Sequence, residues 1–243
     1  MDGDSNQPHT DAPALPSEEP PQSTSWTEGN LAIVSSDNFL FKVPDYYIRA
    51  ASVVFCNWMD EVGGGYLVLV DDTNETSETV SLFLDLVVNG HLGTRDLAEL
   101  VALAHFLQRY ECPKATKMLC AEVYRQESTG EVRSFIVGAV LGDDKFCADV
   151  LWGYPLPMWG RAATDTAVNT GAPVNPSTAA AVDPVETRTS TGCHFDTHTW
   201  PLSWVETLPT KYRWALDRAW HVAGHGGQLA GEFRKRLQET KGK

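Results

Sequence analysis

The residues with the most chemical potential sit late in the chain. "CHFDTH" supplies Cys193, His194 and His198, and "HVAGH" supplies His221 and His225. Thiolates and imidazoles are zinc ligands, and two histidines four apart can share one side of a helical turn. A set of Cys193, His194, His198 and His221 is therefore the candidate metal site. Against it, no close cysteine pair anchors the cluster, His194 falls in a linker-like stretch, and His225 stands between glycines. Solvated or capping histidines are the plainer reading, so no metal and no other cofactor is expected.

Enzymatic signatures are thin. "GGGYL" lacks the GK[ST] ending of a phosphate loop and precedes a strand pattern rather than a helix. "GHGG" follows a helical pattern, where glycines end helices. There is no G-x-S-x-G elbow and no H-E-x-x-H pair. Cys120 and Cys147 lie within apolar helical patterns and read as packing residues. The chain is expected not to be an enzyme.

The elements that would position any site follow from periodicity. Residues 1–25 carry five acids, no Lys or Arg, and much Pro and Ser, which predicts disorder through about residue 28. "LAIVSS", the turn pair Asp37-Asn38, and "FLFKV" predict a strand hairpin. Val43 precedes a proline and ends the strand. Pro44 and Asp45 then open a helix with an apolar stripe of Tyr47, Ile48, Ala51, Val54, Phe55 and Trp58. Tyr66 to Val70 is apolar on both faces and reads as a central, buried strand.

Helical patterns follow. Val80, Phe83, Leu84, Val87 and Val88 share one face before Asn89-Gly90. Thr94 caps a helix with Leu97, Leu100, Val101, Ala104 and Leu107 on one face. Further helices are expected in "CPKATKMLCAEVYRQ", "EVRSFIVGAVLG" and "DDKFCADVLWG". A polar, Pro-punctuated stretch over 155–195 reads as a disordered loop. The remainder, 196–240, predicts helices, with Tyr212, Leu216, Ala219, Trp220 and Ala223 on one face. The fold class expected is α+β: a small sheet packed by helices, then an all-helical extension over 127–154 and the C-terminal helices.

The bulk numbers restrict the partners. The chain of 243 residues has 42% hydrophobic residues, enough for a real core, and a formal net charge of -13. Such charge argues against a general affinity for nucleic acid. No apolar run approaches a bilayer-spanning length, and the first residues lack a basic start and an apolar centre, so neither a membrane span nor a secretory leader is expected. Five cysteines without a CxxC pattern suit a reducing compartment, cytoplasm or nucleus.

The segment "FKVPDYYIRAASVVFCNWM" resembles the strand-to-helix signature of the BTB/POZ domain, with Val43, Ile48, Ala50, Ala51, Ser52 and Phe55 at its apolar, small, serine and phenylalanine places. "YLVLVDDTNETSETVSLFLDLVVNG" is similar to the strand and helix that follow there. "DLAELVALAHFLQRYECPKATKMLCAEV" is similar to the family's helical hairpin. The resemblance spans about residues 29–126, and the later helices look like the tails of many fungal members. It implies a protein–protein interaction module, commonly a self-associating adaptor or scaffold, in some members a recruiter of cullin ubiquitin ligases. The frame it implies is Val43, Pro44, Ile48, Ala51, Ser52, Phe55, Leu69, Phe83, Leu84, Leu100, Ala104 and Leu107. Pro44 and Asp45 replace the His and basic residue common in the family, and no zinc-finger spacing occurs, so the transcription-factor subgroup fits less well. The alternative is a zinc-stabilised or transcription-related regulator using the C-terminal Cys and His residues. Met59 and Glu61 match a hydrophobic-x-Glu triplet of several cullin-binding members. Trp200 and Trp204 are read first as core and second as partner contacts. Protein partners, self-association or a cullin are thus the expectation, with no nucleic acid and no membrane.

Overall fold

The computed structural model describes residues 20–63, 65–125, 131–153, 195–223 and 227–242. Four strands form one sheet in the order β1-β3-β2-β4: β1 Gln22–Thr27, β2 Leu31–Val34, β3 Leu40–Val43 and β4 Tyr66–Val68. The expected hairpin is β2 and β3, antiparallel, with Leu31 opposite Val43 and Val34 opposite Leu40. Asn38 adopts the left-handed conformation in the turn, with φ 65°, which its short polar side chain tolerates. β1 and β4 both add parallel, to β3 and β2 respectively.

Two expectations about this sheet are corrected. Disorder through residue 28 is not found, because Gln22–Thr27 forms β1; its Ser and Thr residues suit an edge strand without giving an apolar pattern. Residues 1–19 lie outside the described residues. The strand at Tyr66 is not central. It is an edge, with Leu67 and Leu69 buried and Tyr66, Val68 and Val70 exposed. Gly65 permits its close approach to β2: a Cβ there would stand 2.1 Å from the Asn30 carbonyl oxygen.

The helix after Pro44 is also not continuous. It divides at Ser52 into α1 Asp45–Ala51 and α2 Val53–Val62. Ser52 has extended backbone, φ -139° and ψ 129°, and its Oγ accepts from the Phe55 amide at 3.0 Å. The same hydroxyl donates to the Tyr110 carbonyl oxygen, 58 residues away. A serine whose hydroxyl serves both as cap and as tertiary link leaves the helix at little loss.

The chain continues as α3 Ser77–Leu84, a π-helical turn Asp85–Asn89, α4 Leu97–Arg109, α5 Pro113–Arg125, α6 Glu131–Val140 and α7 Asp144–Trp152. Asp96, not Thr94, caps α4. Its carboxylate accepts from the Glu99 amide at 2.8 Å while Glu99 accepts from the Asp96 amide at 2.7 Å. This reciprocal box satisfies two orphan donors and outcompetes a single threonine. The expected linker over 155–195 lies outside the described residues except for Phe195. A tight turn Thr197–Thr199 then leads to α8 Leu202–Thr207, α9 Thr210–Ala223 and α10 Gly227–Lys241.

One hydrophobic core joins these elements, from Leu31 in β2 to Leu237 in α10. α6 sits in the middle of it, buried along its length, against α4, α5 and α7. α10 packs on α7 and α9. The architecture is α+β with a helical C-terminal part. Among the described residues no helix is long and apolar enough to cross a membrane.

Candidate functional site

The joint between β3 and α1 builds the first part of the site. Pro44 has no side-chain acceptor to cap α1; the Asn30 side chain accepts from the Asp45 amide instead, at 2.9 Å. Hydrogen bonding to Asn30, then to Arg49, holds the Asp45 carboxyl below its ordinary range. Arg49 bridges Asp45 at 3.2 Å and Asp60 at 2.6 Å, tying α1 to α2. These groups line a shallow depression of about 350 Å³ beside Gly65, where β4 begins.

β4 leaves that depression with one edge paired. Its register places Leu67 beside Ile33 and Phe41 on the buried face of the sheet. Tyr66 aligns with Ala32 and Lys42, and Val68 with Val34 and Leu40, on the outer face. Alternation along a strand puts these residues on opposite sides. Tyr66 is 51% exposed, Val68 44% and Val70 73%. Among the described residues β4 pairs only with β2, so its other edge is open.

Just past β4 the chain is held by a buried carboxylate. Glu75 is fully buried. Its Oε2 accepts from the amides of Val70 at 2.7 Å and Asp71 at 2.8 Å. Its Oε1 accepts from the Tyr110 hydroxyl at 2.6 Å and pairs with Arg109 Nε at 3.1 Å. Arg109 also reaches Asp71 at 2.6 Å. Four donors therefore converge on one carboxylate, which is what makes a buried charge tolerable. Burial, then the bond to Glu75, pushes the Tyr110 hydroxyl well above its ordinary pKa, so it stays a donor. A second knot sits at the hairpin turn. Although partial burial works the other way, hydrogen bonds from Ser35 and Ser77 keep the Asp37 carboxyl low and ionised.

The predicted frame residues meet in the core. Phe55 stacks on Tyr110 at 4.1 Å between ring centroids and touches Phe83 and Phe106. Val43, Ile48, Ala51, Leu69, Leu84, Leu100, Ala104 and Leu107 are buried in the same cluster. Glu61 is exposed, but Met59 is buried at the core edge and is not available as a surface contact. α2 turns it inward because it lies four residues after Phe55. Trp200 is likewise a core residue, edge-on to Phe135 and Phe195, and Trp204 is half-buried against the same core. The first reading of the two tryptophans describes them, and the second does not describe Trp200.

Among the described residues no group of three or more His, Cys, Asp or Glu is placed to hold an ion, and the candidate metal set falls only partly within them. Cys193 and His194 lie outside them. His198 is exposed after the Asp196 cap, and His221 Nδ1 lies 2.7 Å from the Asp217 carbonyl oxygen. Burial raises the thiols of Cys112 and Cys120 to about 12, and that of Cys147 well above its usual value. A thiol raised that far is a packing group rather than a nucleophile.

Sequence patterns passed over Glu75, Tyr110, Arg109 and Arg49. The one signal for the role of Glu75 was an acid directly ahead of a helix-capping threonine. Comparison with protein-family models, with curated proteins and with solved structures finds no match in any of the three.

Proposed function

We propose that the chain is a protein–protein interaction module of BTB/POZ type, an adaptor or scaffold that self-associates through the open edge of β4. The observation that carries this reading is the row Tyr66, Val68 and Val70, large apolar side chains exposed along the edge strand and just past its end. An open apolar edge is a template for a further strand, and proteins that do not use one blunt it with Lys, Pro or a bulge. Here the strand is apolar and Glu75 fixes the chain just after it. The resemblance of the signature segments supports the same reading, since Ser52 and Phe55 are the residues that close the core beneath the joint.

Light scattering across a concentration series tests it. The full chain is expected to be dimeric or larger, and Val68→Lys to be monomeric with an unchanged melting temperature. A strictly monomeric chain that recovers no partner on affinity purification would sink the proposal. A cullin among the recovered proteins would assign the adaptor to ubiquitin ligation; other partners would make it a scaffold.

A further inference from the structure

A second surface lies far along the chain, on the helical hairpin of α9 and α10. Trp214, Arg218, His221 and Val222 follow one another on α9 at the spacing of one helical face, and all four are exposed. With Asp217 and Arg236 they line a groove of about 430 Å³. Trp214 and Val222 give it an apolar floor that the core does not use, with Val222 63% exposed.

The charge of the groove differs from that of the protein. The chain carries -13 overall, yet the groove is lined by two arginines, Arg218 and Arg236, against one acid, Asp217. Within the groove, Arg236 is engaged by Glu232 and Glu239. The Asp217 carboxylate accepts from the Thr197 hydroxyl at 2.6 Å. Arg218 has no carboxylate partner among the described residues and lies over the Trp214 ring, 6.0 Å from its centroid. An arginine laid on an exposed tryptophan presents its free N–H edge outward, where a carboxylate can take two hydrogen bonds.

We propose that this groove binds an acidic peptide segment of a partner protein, with a bulky apolar side chain on Trp214 and Val222 and a carboxylate on Arg218. Trp and Arg are the residue types that dominate binding energy at such contacts. A long polyanion is the weaker occupant, because the remaining surface is strongly negative and repels it. The site is separate from the β4 edge, so it stands or falls independently of self-association there.

Fluorescence polarisation of the full chain with a labelled synthetic peptide of Glu, Asp and Leu tests this. The controls are its Lys-for-acid counterpart and a labelled single-stranded oligonucleotide. The acidic peptide is expected to bind, weakening with salt, and to lose about tenfold or more in affinity in Trp214→Ala and in Arg218→Glu. Both positions are exposed, and an unchanged circular dichroism melt would confirm that the fold is kept. No binding, equal binding of the Lys peptide, tighter binding of the oligonucleotide, or indifference to both substitutions overturns the proposal. Two further outcomes also overturn it by naming another occupant. Tighter peptide binding on deletion of residues 1–19 would make the chain's own acidic segment the occupant. Self-association abolished by Trp214→Ala would make it a second copy.

Discussion

The two halves of this molecule share one core but are fastened in different ways. In the N-terminal half, the polar links include bonds of buried side chains to backbone groups: Ser52 on the Tyr110 carbonyl 58 residues away, Glu75 on the nearby amides of Val70 and Asp71. In the C-terminal half they run between side chains near the surface. Asp144 accepts from the Tyr212 hydroxyl at 2.5 Å and from Lys241 at 2.6 Å, and Asp149 pairs with Lys145 and Arg234. A backbone group stripped of its partner inside the protein cannot turn to water, whereas an exposed side chain can. Backbone geometry in the first half is thus set by a few irreplaceable atoms. Attachment of the second half rests on apolar burial around Phe135, Tyr212 and Phe233, and the ion pairs of Lys145, Arg234 and Lys241 are ones that water can substitute.

Breaking that contrast should begin with Glu75. Glu75→Ala strands two amides, the Tyr110 hydroxyl and Arg109 at once, and is expected to lower stability by about 3–5 kcal/mol in urea denaturation. A loss below about 1 kcal/mol would mean that the two halves are fastened alike. Ser52→Ala removes a helix cap and leaves the Tyr110 carbonyl unpaired, for an expected loss of about 1–2 kcal/mol by the same measurement. Tyr212→Phe keeps the buried ring and removes only the bond to Asp144. It should cost about 1 kcal/mol, and a double-mutant cycle with Asp144→Asn should recover that coupling.

The smallest effect expected is on pH dependence. Desolvation raises the Asp144 carboxyl, but Lys241, Tyr212 and Lys211 outweigh it and leave its folded pKa below the ordinary value. A depressed folded pKa gives stability that is present above the unfolded value, about 4, and is lost as pH falls through the folded one. Between pH of about 5 and about 3, the wild-type melting temperature should therefore fall by a few degrees more than that of Asp144→Asn. Equal falls would remove Asp144 from the attachment of α10.

The contrast also explains what could be read in advance. The hairpin, the Pro44 helix start and the apolar faces of α4 and α9 are local patterns, visible within a window of residues. The break at Ser52 was not, because its cause is a carbonyl at Tyr110. β1 escaped notice because an edge strand of Ser and Thr has no alternating apolar signal. β4 looked central because its outward row is as apolar as its inward one. That misreading marks the surface on which the proposed function rests. Glu75 was invisible as a hub because Tyr110 and Arg109 come from the far end of α4. The candidate metal ligands were legible only as residue types, and two of them, Cys193 and His194, lie outside the described residues.

The strand order carries a kinetic consequence. β2 and β3 meet across a short turn, whereas β4 joins β2 only after two helices have intervened, and β1 must reach past β2 to pair with β3. Closing the short loop first costs least chain entropy, so the sheet is expected to grow outward from its middle pair. Asn38→Val in the turn should then slow folding, while Leu67→Ala in β4 should chiefly hasten unfolding. The edge that is open to a partner would be the last to form and the first to come away.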